Sequence, residues 1–481
     1  MRIHSASAPG CLAMLFNSSD FLLFFLIVYL LYWRIPDFRR QNLLLLLASY
    51  VFYGAWDIRF LPLIFSTGLI NYGIGSRIAR EARLPQRKLW LTLGVSISLA
   101  TLAFFKYFNF GIESAASVLR HLGIQPHLST LNIILPVGIS FYTFHEISYL
   151  VDLYRREGQL ASNFVSFALY VAYFPQLVAG PIQQSRFLLP ELEKPRTITG
   201  EDLRLGAMWI LLGYAKKVAF ADTLAPLVDR VFDHPAGFTG ATFLMATLAF
   251  ATQIYGDFAG YTLIARGLSQ LMGMPLIENF RRPFLASDPR DFWRRWHMSL
   301  SSWLRNYLYL PLGGNRLGTF RTHINLMLTM LLGGLWHGAS WNFVLWGGYH
   351  GALLSLSHAL GFGSKSDQPS LAIRSLRILA TFLLTLFGWL LFRARTREQI
   401  VTMIQGLLFN FRWDQETTFI AIPTLTIFAL LMAYHLWQEL SADALVLLEA
   451  DWRLRSGVYA FLFLVIVAIG FRPVPFVYFQ F

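Results

Sequence analysis

The chain is a succession of apolar runs that short polar or basic turns separate. A simple membrane crossing by an α-helix requires about 20 apolar residues, and several of these runs are shorter. The pattern therefore predicts about a dozen transmembrane helices, some of them tilted or re-entrant. The predicted spans cover approximately residues 20–33, 41–56, 58–75, 89–109, 131–151, 163–180, 204–230, 240–262, 323–336, 340–360, 371–393, 418–438 and 456–472.

The sequence predicts one membrane-embedded domain over residues 14–481. No internal repeat is visible, and no polar linker separates a second domain, the longest being residues 361–370. Residues 1–13 are polar and lack a helical pattern, whereas Met14 precedes a helix-start sequence, so we predict that residues 1–13 are a dispensable extension. A cleaved signal peptide is the alternative, but the apolar run continues to Trp33 and ends in arginines, which is typical of a retained span.

Composition and charge favour a polytopic membrane protein. Hydrophobic residues make up 55% of the chain and charged residues only 14%, whereas about a quarter of the residues in soluble proteins are charged. The net charge of +13 comes from clusters between apolar runs, at residues 34–40, 77–88 and 281–295. This distribution follows the positive-inside rule, so it predicts cytoplasmic loops rather than a nucleic-acid partner. The only cysteine, Cys11, lies in the polar extension, which argues against a disulfide framework, a cysteine metal site and a cysteine nucleophile.

Residues 291–351 differ from an ordinary span. They contain three histidines, His297, His337 and His350, among tryptophans, arginines and glycines. Ionisable side chains at membrane depth are costly, so their presence there indicates a function. The first part of this stretch, residues 291–316, is predicted to be a basic, partly re-entrant cytoplasmic segment that carries His297.

His337 is the main catalytic candidate. In the sequence GGLWHGASWNF, glycines permit a close approach of the backbone, and Trp336 and Trp341 restrict water. An imidazole in this setting can act as a general base at neutral pH and take the proton from a hydroxyl that attacks a thioester carbonyl. We interpret residues 331–351 as a glycine-lined helix start that delivers His337 into the bundle. His350 would then lie on nearly the opposite side of a continuous helix, where a structural hydrogen bond is expected.

Other polar residues are candidates to support the reaction. His297 and Asp291 could orient the base or bind the donor. The neighbouring arginines could dock a phosphate-bearing donor or a headgroup, although membrane topology and lipid contact explain the same cluster. Asp257 lies at a predicted span end, where it either orients a cation or a histidine or forms an ion pair. Besides His297, the supporting candidates are Asp257, Asp291, Arg294, Arg295, Trp336, Trp341 and Asn342.

A second polar region precedes these residues. His145 followed by Glu146 matches half of a zinc motif, but no second histidine completes HExxH, and no metal site is predicted. His145 is expected to pack or hydrogen-bond inside the bundle. Residues 173–187 contain helix-breaking prolines and a glycine, so they either line a protein-covered cavity or form a loop at the membrane surface.

Missing motifs narrow the reaction class. The HxxxxD signature of soluble-type glycerolipid acyltransferases, the GxSxG nucleophile elbow and the P-loop are all absent. Histidine-based chemistry in a membrane bundle remains. A transporter or channel is the alternative from another class, because broken helices and intramembrane histidines occur there too.

Several motifs occur in a specific order between Met14 and about residue 350. They are MLFNSSDFLLFF, PVGISFYTFHEISYLVDLYR, FPQLVAGPI, YGDFAGY, ENFRRPF, DFWRRWHMSLSSWLRNYLYLPLGGNR and GGLWHGASWNFVLWGGYHG. In this order they resemble the membrane-bound O-acyltransferase family, particularly its bacterial branch that acetylates alginate. The resemblance implies an all-α fold around a central funnel or pore, with His337 as the catalytic histidine and His297 as the second functional histidine. His145 is a departure, because the resemblance leads us to expect glutamine or a similar polar residue there.

The resemblance also implies a donor, an acceptor and partners. The donor is an acyl thioester, often acetyl-CoA, which acts as a substrate, and no cofactor is bound. The expected acceptor is alginate or another extracellular polysaccharide, with peptidoglycan or cellulose as alternatives. The expected partners are extracytoplasmic acetyltransferase or adaptor proteins and membrane lipid, and the expected location is the bacterial inner membrane.

Overall fold

The computed structural model describes residues 14–126, 128–362, 370–443, 445–470 and 476–477. These residues form α-helices, short 3-10 and π-helical turns and connecting loops, with no β-strand among them, so the predicted all-α class is confirmed. Residues 1–13, the predicted extension, lie outside the described residues, as does most of the predicted linker at 361–370.

The chain divides into two compact units. Unit 1 consists of the described part of Met1–Leu203 together with Leu268–Ile277. Unit 2 consists of Arg204–Gly267 and the described part of Glu278–Phe479. The prediction that residues 14–481 act as a single acyltransferase domain stays a prediction.

Unit 1 is built from α1 to α9 and the first residues of α10. Its helices are α1 (Ser19–Arg34), α2 (Phe38–Asp57), α3 (Leu61–Arg80), α4 (Leu84–Leu102), α5 (Phe108–His121), α6 (Ile139–Arg155), α7 (Phe164–Ala172), α8 (Phe174–Leu177) and α9 (Ser185–Leu192). Local chemistry fixes several of their ends. The hydroxyl of Ser18 accepts a hydrogen bond from the backbone N–H of Phe21 at 3.2 Å, which caps α1, and Arg34 in its last turn favours the negative end of the helix dipole.

Unit 2 holds the longer helices. They are α10 (Gly200–Tyr214), α11 (Thr223–Phe232), α12 (Gly240–Leu271), α13 (Pro289–Arg295), α14 (Met298–Leu304), α15 (Thr319–His337), α16 (Trp341–Ala359), α17 (Leu371–Arg393), α18 (Arg397–Phe409), α19 (Gln415–Leu440), α20 (Val446–Glu449) and α21 (Trp452–Ile469), of which α10 and α12 also contribute to unit 1. Short π-helical turns at Ala215–Asp222 and Arg305–Tyr309 follow α10 and α14.

Five helical segments are long and apolar enough to cross a membrane among the described residues. They are Phe38–Arg80, Leu84–His121, Leu371–Arg393, Gln415–Leu440 and Trp452–Ile469. Large apolar side chains lie on the surface of helices, such as Leu23 on α1 at 60% exposure and Leu376 on α17 at 66%. Exposed apolar surface on this scale is typical of contact with lipid. The chain is therefore a multi-pass membrane protein, while the count of about a dozen spans and the central funnel or pore stay predictions.

Some predicted helix bounds are wrong. The span predicted to begin near residue 131 begins at Ile139, because Pro136 and Gly138, whose φ of 73° is left-handed, keep the preceding segment out of the helix. The span predicted to end at residue 262 continues as α12 to Leu271. By contrast, α17 begins and ends at the predicted residues, 371 and 393.

Candidate active site

The helix pair α15 and α16 presents His337. The two helices approach closely because glycines face backbone across the contact: a Cβ on Gly334 would collide with the carbonyl oxygen of Phe343, and one on Gly347 with that of Met330. Any larger side chain at these positions would force the helices apart. These glycines therefore let α15 and α16 pack closely against each other next to His337.

His337 is the last residue of α15, not part of a helix start. The backbone is extended at Gly338, with φ −159° and ψ 147°, and at Ser340, with φ −151° and ψ 157°, after which α16 begins at Trp341. The interpretation of residues 331–351 as a helix start was thus wrong, because the chain leaves the helix at Gly338. The break holds the imidazole at a helix terminus, where it is only 6% exposed.

His297 reaches the site from the junction of α13 and α14. Its backbone adopts the left-handed conformation, with φ 44° and ψ 52°, which is strained for a residue with a Cβ. Two backbone hydrogen bonds hold this junction, from the N–H of Met298 to the carbonyl of Asn279 at 2.9 Å and from the N–H of Arg281 to the carbonyl of Arg295 at 2.9 Å. The strained turn places the His297 side chain inside unit 2, where it is 0% exposed.

The structure brings His297 and His337 together. Their ring centroids lie 6.4 Å apart, and the indole of Trp336 contacts both, at 6.0 Å from His297 and 5.0 Å from His337. Phe258 of α12 packs edge-on against His297 at 4.6 Å, and Trp346 of α16 packs against His337 at 5.1 Å. The two imidazoles therefore share an apolar surrounding from which water is largely excluded. Electrostatic interactions are stronger there than in water, and a buried imidazole can take part in proton transfer.

Asn279 is the hydrogen-bonding partner of His297. Its Oδ1 lies 3.2 Å from His297 Nδ1 and accepts hydrogen bonds from the backbone N–H of Ser299 at 3.1 Å and from the Ser299 hydroxyl at 2.9 Å. Asn279 is 1% exposed. His297 Nε2 is buried and has no hydrogen-bond partner among the described residues.

Asp291, predicted as a candidate to orient the base or bind the donor, forms its contacts within and next to its own helix. One of its carboxylate oxygens accepts from Arg295 Nε at 2.9 Å, and the other accepts from the backbone N–H of Ser287 at 3.1 Å. Asp291 lies in α13, and its i,i+4 spacing to Arg295 favours this ion pair within the helix. The acceptor on His297 is the amide oxygen of Asn279 instead.

A basic cluster lies around Glu439 of α19. Arg282, Arg295 and Arg374 approach its carboxylate at 3.3, 3.6 and 2.9 Å, respectively. Arg295 also pairs with Asp291, so two carboxylates face three guanidinium groups, and the cluster keeps a net positive charge that suits a phosphate-bearing ligand. Arg294, the other predicted donor-binding arginine, is exposed.

Asp257 lies in the middle of α12, not at a span end, because that helix extends to Leu271. Its carboxylate is 2.7 Å from Lys217 Nζ, which is also 2.8 Å from Asp222, and it accepts a hydrogen bond from the backbone N–H of Val477. All three side chains of this ionic group are buried. The ion-pairing alternative therefore describes its observed contacts, and its neighbour Phe258 is the residue that touches His297.

The remaining predicted supporting residues differ in exposure. Trp336 is 5% exposed, whereas Trp341 is 54% exposed, so of the two tryptophans predicted to restrict water Trp336 is the one that is buried. The side-chain N–H of Asn342 donates to the carbonyl of Ala394 at 2.8 Å, which ties the start of α16 to the end of α17. Asn342 thus helps to fix the helix that follows His337.

His350 packs one step away from the reaction centre. Trp346 lies between the two histidines, 4.8 Å from His350 and 5.1 Å from His337. Gly388 of α17 makes room for His350, because a Cβ there would lie 2.7 Å from Nε2. The argument from one continuous helix was wrong, since α15 ends before α16 begins, and the structural hydrogen bond expected for His350 stays a prediction.

His145 forms a separate buried site in unit 1. It is 0% exposed in α6, and its Nε2 accepts a hydrogen bond from the backbone N–H of Gln183 at 3.2 Å. Tyr170 packs against its ring at 5.5 Å and donates to its carbonyl oxygen at 3.1 Å. The broken segment that contains Gln183 is buried, which agrees with the protein-covered alternative for residues 173–187.

Sequence reasoning missed Asn279, Ser299 and Lys217. Asn279 belongs to the ENFRRPF motif, and Ser299 lies two residues after His297 in the DFWRRWHMSL motif. The sequence contains both motifs but does not show that their side chains touch. Lys217 lies within an apolar run, where a buried cation requires a carboxylate partner. That rule could have paired it with an intramembrane aspartate.

Comparison with known proteins gives consistent matches. Residues 153–393 match the family model described as MBOAT, membrane-bound O-acyltransferase family. This range contains His297, His337 and Asn279.

Individual relatives extend the match to most of the chain. A probable alginate O-acetylase of Azotobacter vinelandii is 43% identical over 424 residues, which cover 88% of this chain and 83% of the relative. A peptidoglycan O-acetyltransferase of Helicobacter pylori is 33% identical and covers 82% of this chain and 80% of the relative. A teichoic acid D-alanyltransferase of Bacillus subtilis is 28% identical and covers 56% of this chain and 72% of the relative.

Proposed function

The chain belongs to the membrane-bound O-acyltransferase family, and on that premise we propose that it moves an acetyl group from a cytoplasmic thioester, acetyl-CoA, to an extracellular polysaccharide. Alginate is the proposed polymer, because relatives that are 40–43% identical over 88% of the chain are named probable alginate O-acetylases. The transporter alternative lacks such support, since the relatives are transferases.

The contact between His297 and His337 in an aromatic surrounding carries the proposal. The two residues are 40 positions apart in sequence, and the fold places their rings 6.4 Å apart. Two neighbouring imidazoles that are shielded from water are suited to move a proton during acyl transfer. The buried acids of unit 2 have other partners, since Asp257 pairs with Lys217 and Asp288 caps the start of α13, which leaves the histidines as the proposed reacting side chains.

The proposed reaction is a nucleophilic acyl transfer. His337 takes the proton from the acceptor hydroxyl as its oxygen attacks the thioester carbonyl carbon. The carbon–sulfur bond then breaks, and the imidazolium returns the proton to the departing thiolate. The products are an acetyl ester and free CoA, and His337 ends neutral, as it began.

The anionic donor needs positive charge, and the basic cluster around Glu439 supports its docking. Arg295 belongs to this cluster and is the last residue of α13, which leads directly to His297. Electrostatic attraction of the CoA phosphates to guanidinium groups would bring the thioester near this element. We place the protein in the bacterial inner membrane, where extracytoplasmic acetyltransferase or adaptor proteins complete delivery to the polymer.

Expression in an alginate-producing bacterium that lacks its own enzyme of this family tests the proposal. The acetyl ester content of the secreted alginate and of the peptidoglycan is measured with the wild-type chain and with His337→Gln at equal membrane abundance. Restored alginate esters that depend on His337 are expected. If acetyl esters return only to peptidoglycan, then peptidoglycan and not alginate is the acceptor. A lack of esters on both polymers would overturn the proposal.

A further inference from the structure

The hydrogen bonds around Asn279 define the proton positions on His297. A backbone N–H can only donate, so the Asn279 atom that faces the Ser299 N–H at 3.1 Å must be the amide oxygen. The same oxygen lies 3.2 Å from His297 Nδ1. An oxygen without a hydrogen can only accept, so His297 Nδ1 must carry a proton.

The Ser299 hydroxyl supports the same assignment. Its proton is directed to Asn279 Oδ1 at 2.9 Å, and its oxygen lies 3.4 Å from His297 Nδ1. This hydroxyl is therefore available to His297 only as an acceptor, which again requires a proton on Nδ1. Both neighbours of His297 Nδ1 thus fit the same tautomer.

This tautomer leaves the second nitrogen of the ring with a lone pair. His297 is 0% exposed, and complete burial disfavours the charged imidazolium, which would carry protons on both nitrogens. His297 Nε2 then has no proton and, among the described residues, no hydrogen-bond donor. A buried acceptor without a partner is costly to the fold and is typical of a site that a reactant completes.

We propose that Asn279 is a positioning residue that fixes the Nδ1–H tautomer of His297 and so keeps Nε2 free to accept a proton during acyl transfer. This inference rests on the proposed function. His337 takes the hydroxyl proton as the acceptor oxygen forms its bond to the acyl carbon, and His297 Nε2 accepts this proton from His337. The proton goes to the thiolate when the carbon–sulfur bond breaks, and His297 returns to its starting tautomer.

The structure separates this role from a merely structural one. Asn279 Oδ1 also caps the start of α14 through the Ser299 N–H, so its removal is expected to affect stability. The backbone carbonyl of Asn279 binds the N–H of Met298 independently of the side chain, so the strained turn keeps one of its supports in any Asn279 variant. A kinetic effect can therefore be measured on folded protein.

Three variants of the full chain test the proposal in membrane vesicles with acetyl-CoA as donor. Asn279→Leu keeps the volume but removes the acceptor oxygen, and we expect kcat to fall about 10- to 100-fold with KM for acetyl-CoA nearly unchanged. Asn279→Asp keeps an acceptor oxygen and should recover most of the loss. Ser299→Ala keeps the backbone N–H and the Asn279–His297 contact but removes the hydroxyl, so its loss of kcat should be smaller than that of Asn279→Leu.

A second measurement reads the tautomer without using activity. Nitrogen-15 spectra of histidine-labelled protein, with the His297 signals assigned by their loss in His297→Gln, should show a proton-bearing Nδ1 and a bare Nε2 in wild type. Asn279→Leu should show mixed tautomers. A proton on Nε2 in the wild-type protein, or an unchanged kcat in Asn279→Leu, would overturn the inference. If the predicted tautomer is found but no preparation transfers acetyl groups, the positioning stands and the proposed function fails.

Discussion

His297 in unit 2 and His145 in unit 1 are both 0% exposed and both contact aromatic rings, yet their second nitrogens differ. The backbone N–H of Gln183 donates a hydrogen bond to Nε2 of His145 at 3.2 Å, whereas Nε2 of His297 accepts no hydrogen bond from any described residue. Both rings therefore carry their proton on Nδ1, but only His297 keeps a lone pair for a reactant. Burial and polarity alone do not distinguish a functional histidine in a membrane protein, while the state of each ring nitrogen does.

The backbone around the two histidines shows the same contrast. His145 lies within the regular helix α6, whereas His297 lies in a left-handed turn with φ 44°. Two backbone hydrogen bonds to the segment at residues 279–281 hold this turn in place. Strained residues persist where the surrounding structure over-determines them, and they are common at active sites. His337 shares this irregular setting, since it lies where α15 ends and the chain turns into α16.

The largest expected effect is on His337. His337→Ala should lower acetyl transfer by about 10²- to 10⁴-fold, because it removes the proposed general base. Polymer ester content is measured at matched membrane abundance, and His337→Gln controls for the lost volume. Normal ester content in a normally inserted variant would remove His337 from the reaction.

A smaller and different effect is expected at His145. His145→Ala leaves the buried N–H of Gln183 without an acceptor, which should lower the free energy of unfolding by about 1–3 kcal/mol. Thermal unfolding in detergent measures this loss, while acetyl transfer per folded molecule should stay near wild type. His145→Gln offers an amide oxygen to the same N–H and should be milder. A loss of transfer per folded molecule would show that His145 is more than a structural residue.

The smallest effects are expected at the arginines of α13. Arg294 is exposed, so Arg294→Gln should leave stability unchanged and raise only the donor concentration that half-saturates transfer. Arg295→Gln breaks partly exposed ion pairs with Asp291 and Glu439, each worth about 0.2–1 kcal/mol, so it should lower stability slightly as well. If the donor requirement does not change in either variant, membrane topology alone explains this cluster.

The sequence predicted those features that depend on local patterns. The bounds of α17 agree with the prediction because Ser370 caps its start and the apolar run ends at Arg393. The predicted span bounds at 323–336 and 340–360 lie close to the end of α15 and the start of α16, although the interpretation of residues 331–351 as one helix start was wrong. Helix formation and termination are local, so sequence patterns report them well.

Contacts between distant residues could not be predicted in this way. Asn279 precedes His297 in the chain, and no helical period connects the two, because a 3-10 turn at Pro283–Leu285 and α13 lie between them. Asp291, a predicted candidate to orient the base or bind the donor, forms an ion pair with Arg295 within α13. The sequence offered no sign of the contact between Asn279 and His297, because only the folded backbone brings the amide to the imidazole.

The rate of acetyl transfer per folded molecule in His297→Gln, measured beside His145→Gln in the same vesicles, tests the central contrast most directly. We expect His297→Gln to be at least about 100-fold slower than wild type and His145→Gln to stay within about threefold, because of the two only His297 has an unprotonated ring nitrogen that no hydrogen-bond donor occupies. Equal rates in the two variants, or a larger loss in His145→Gln, would contradict the assignment of the reaction to the His297–His337 pair.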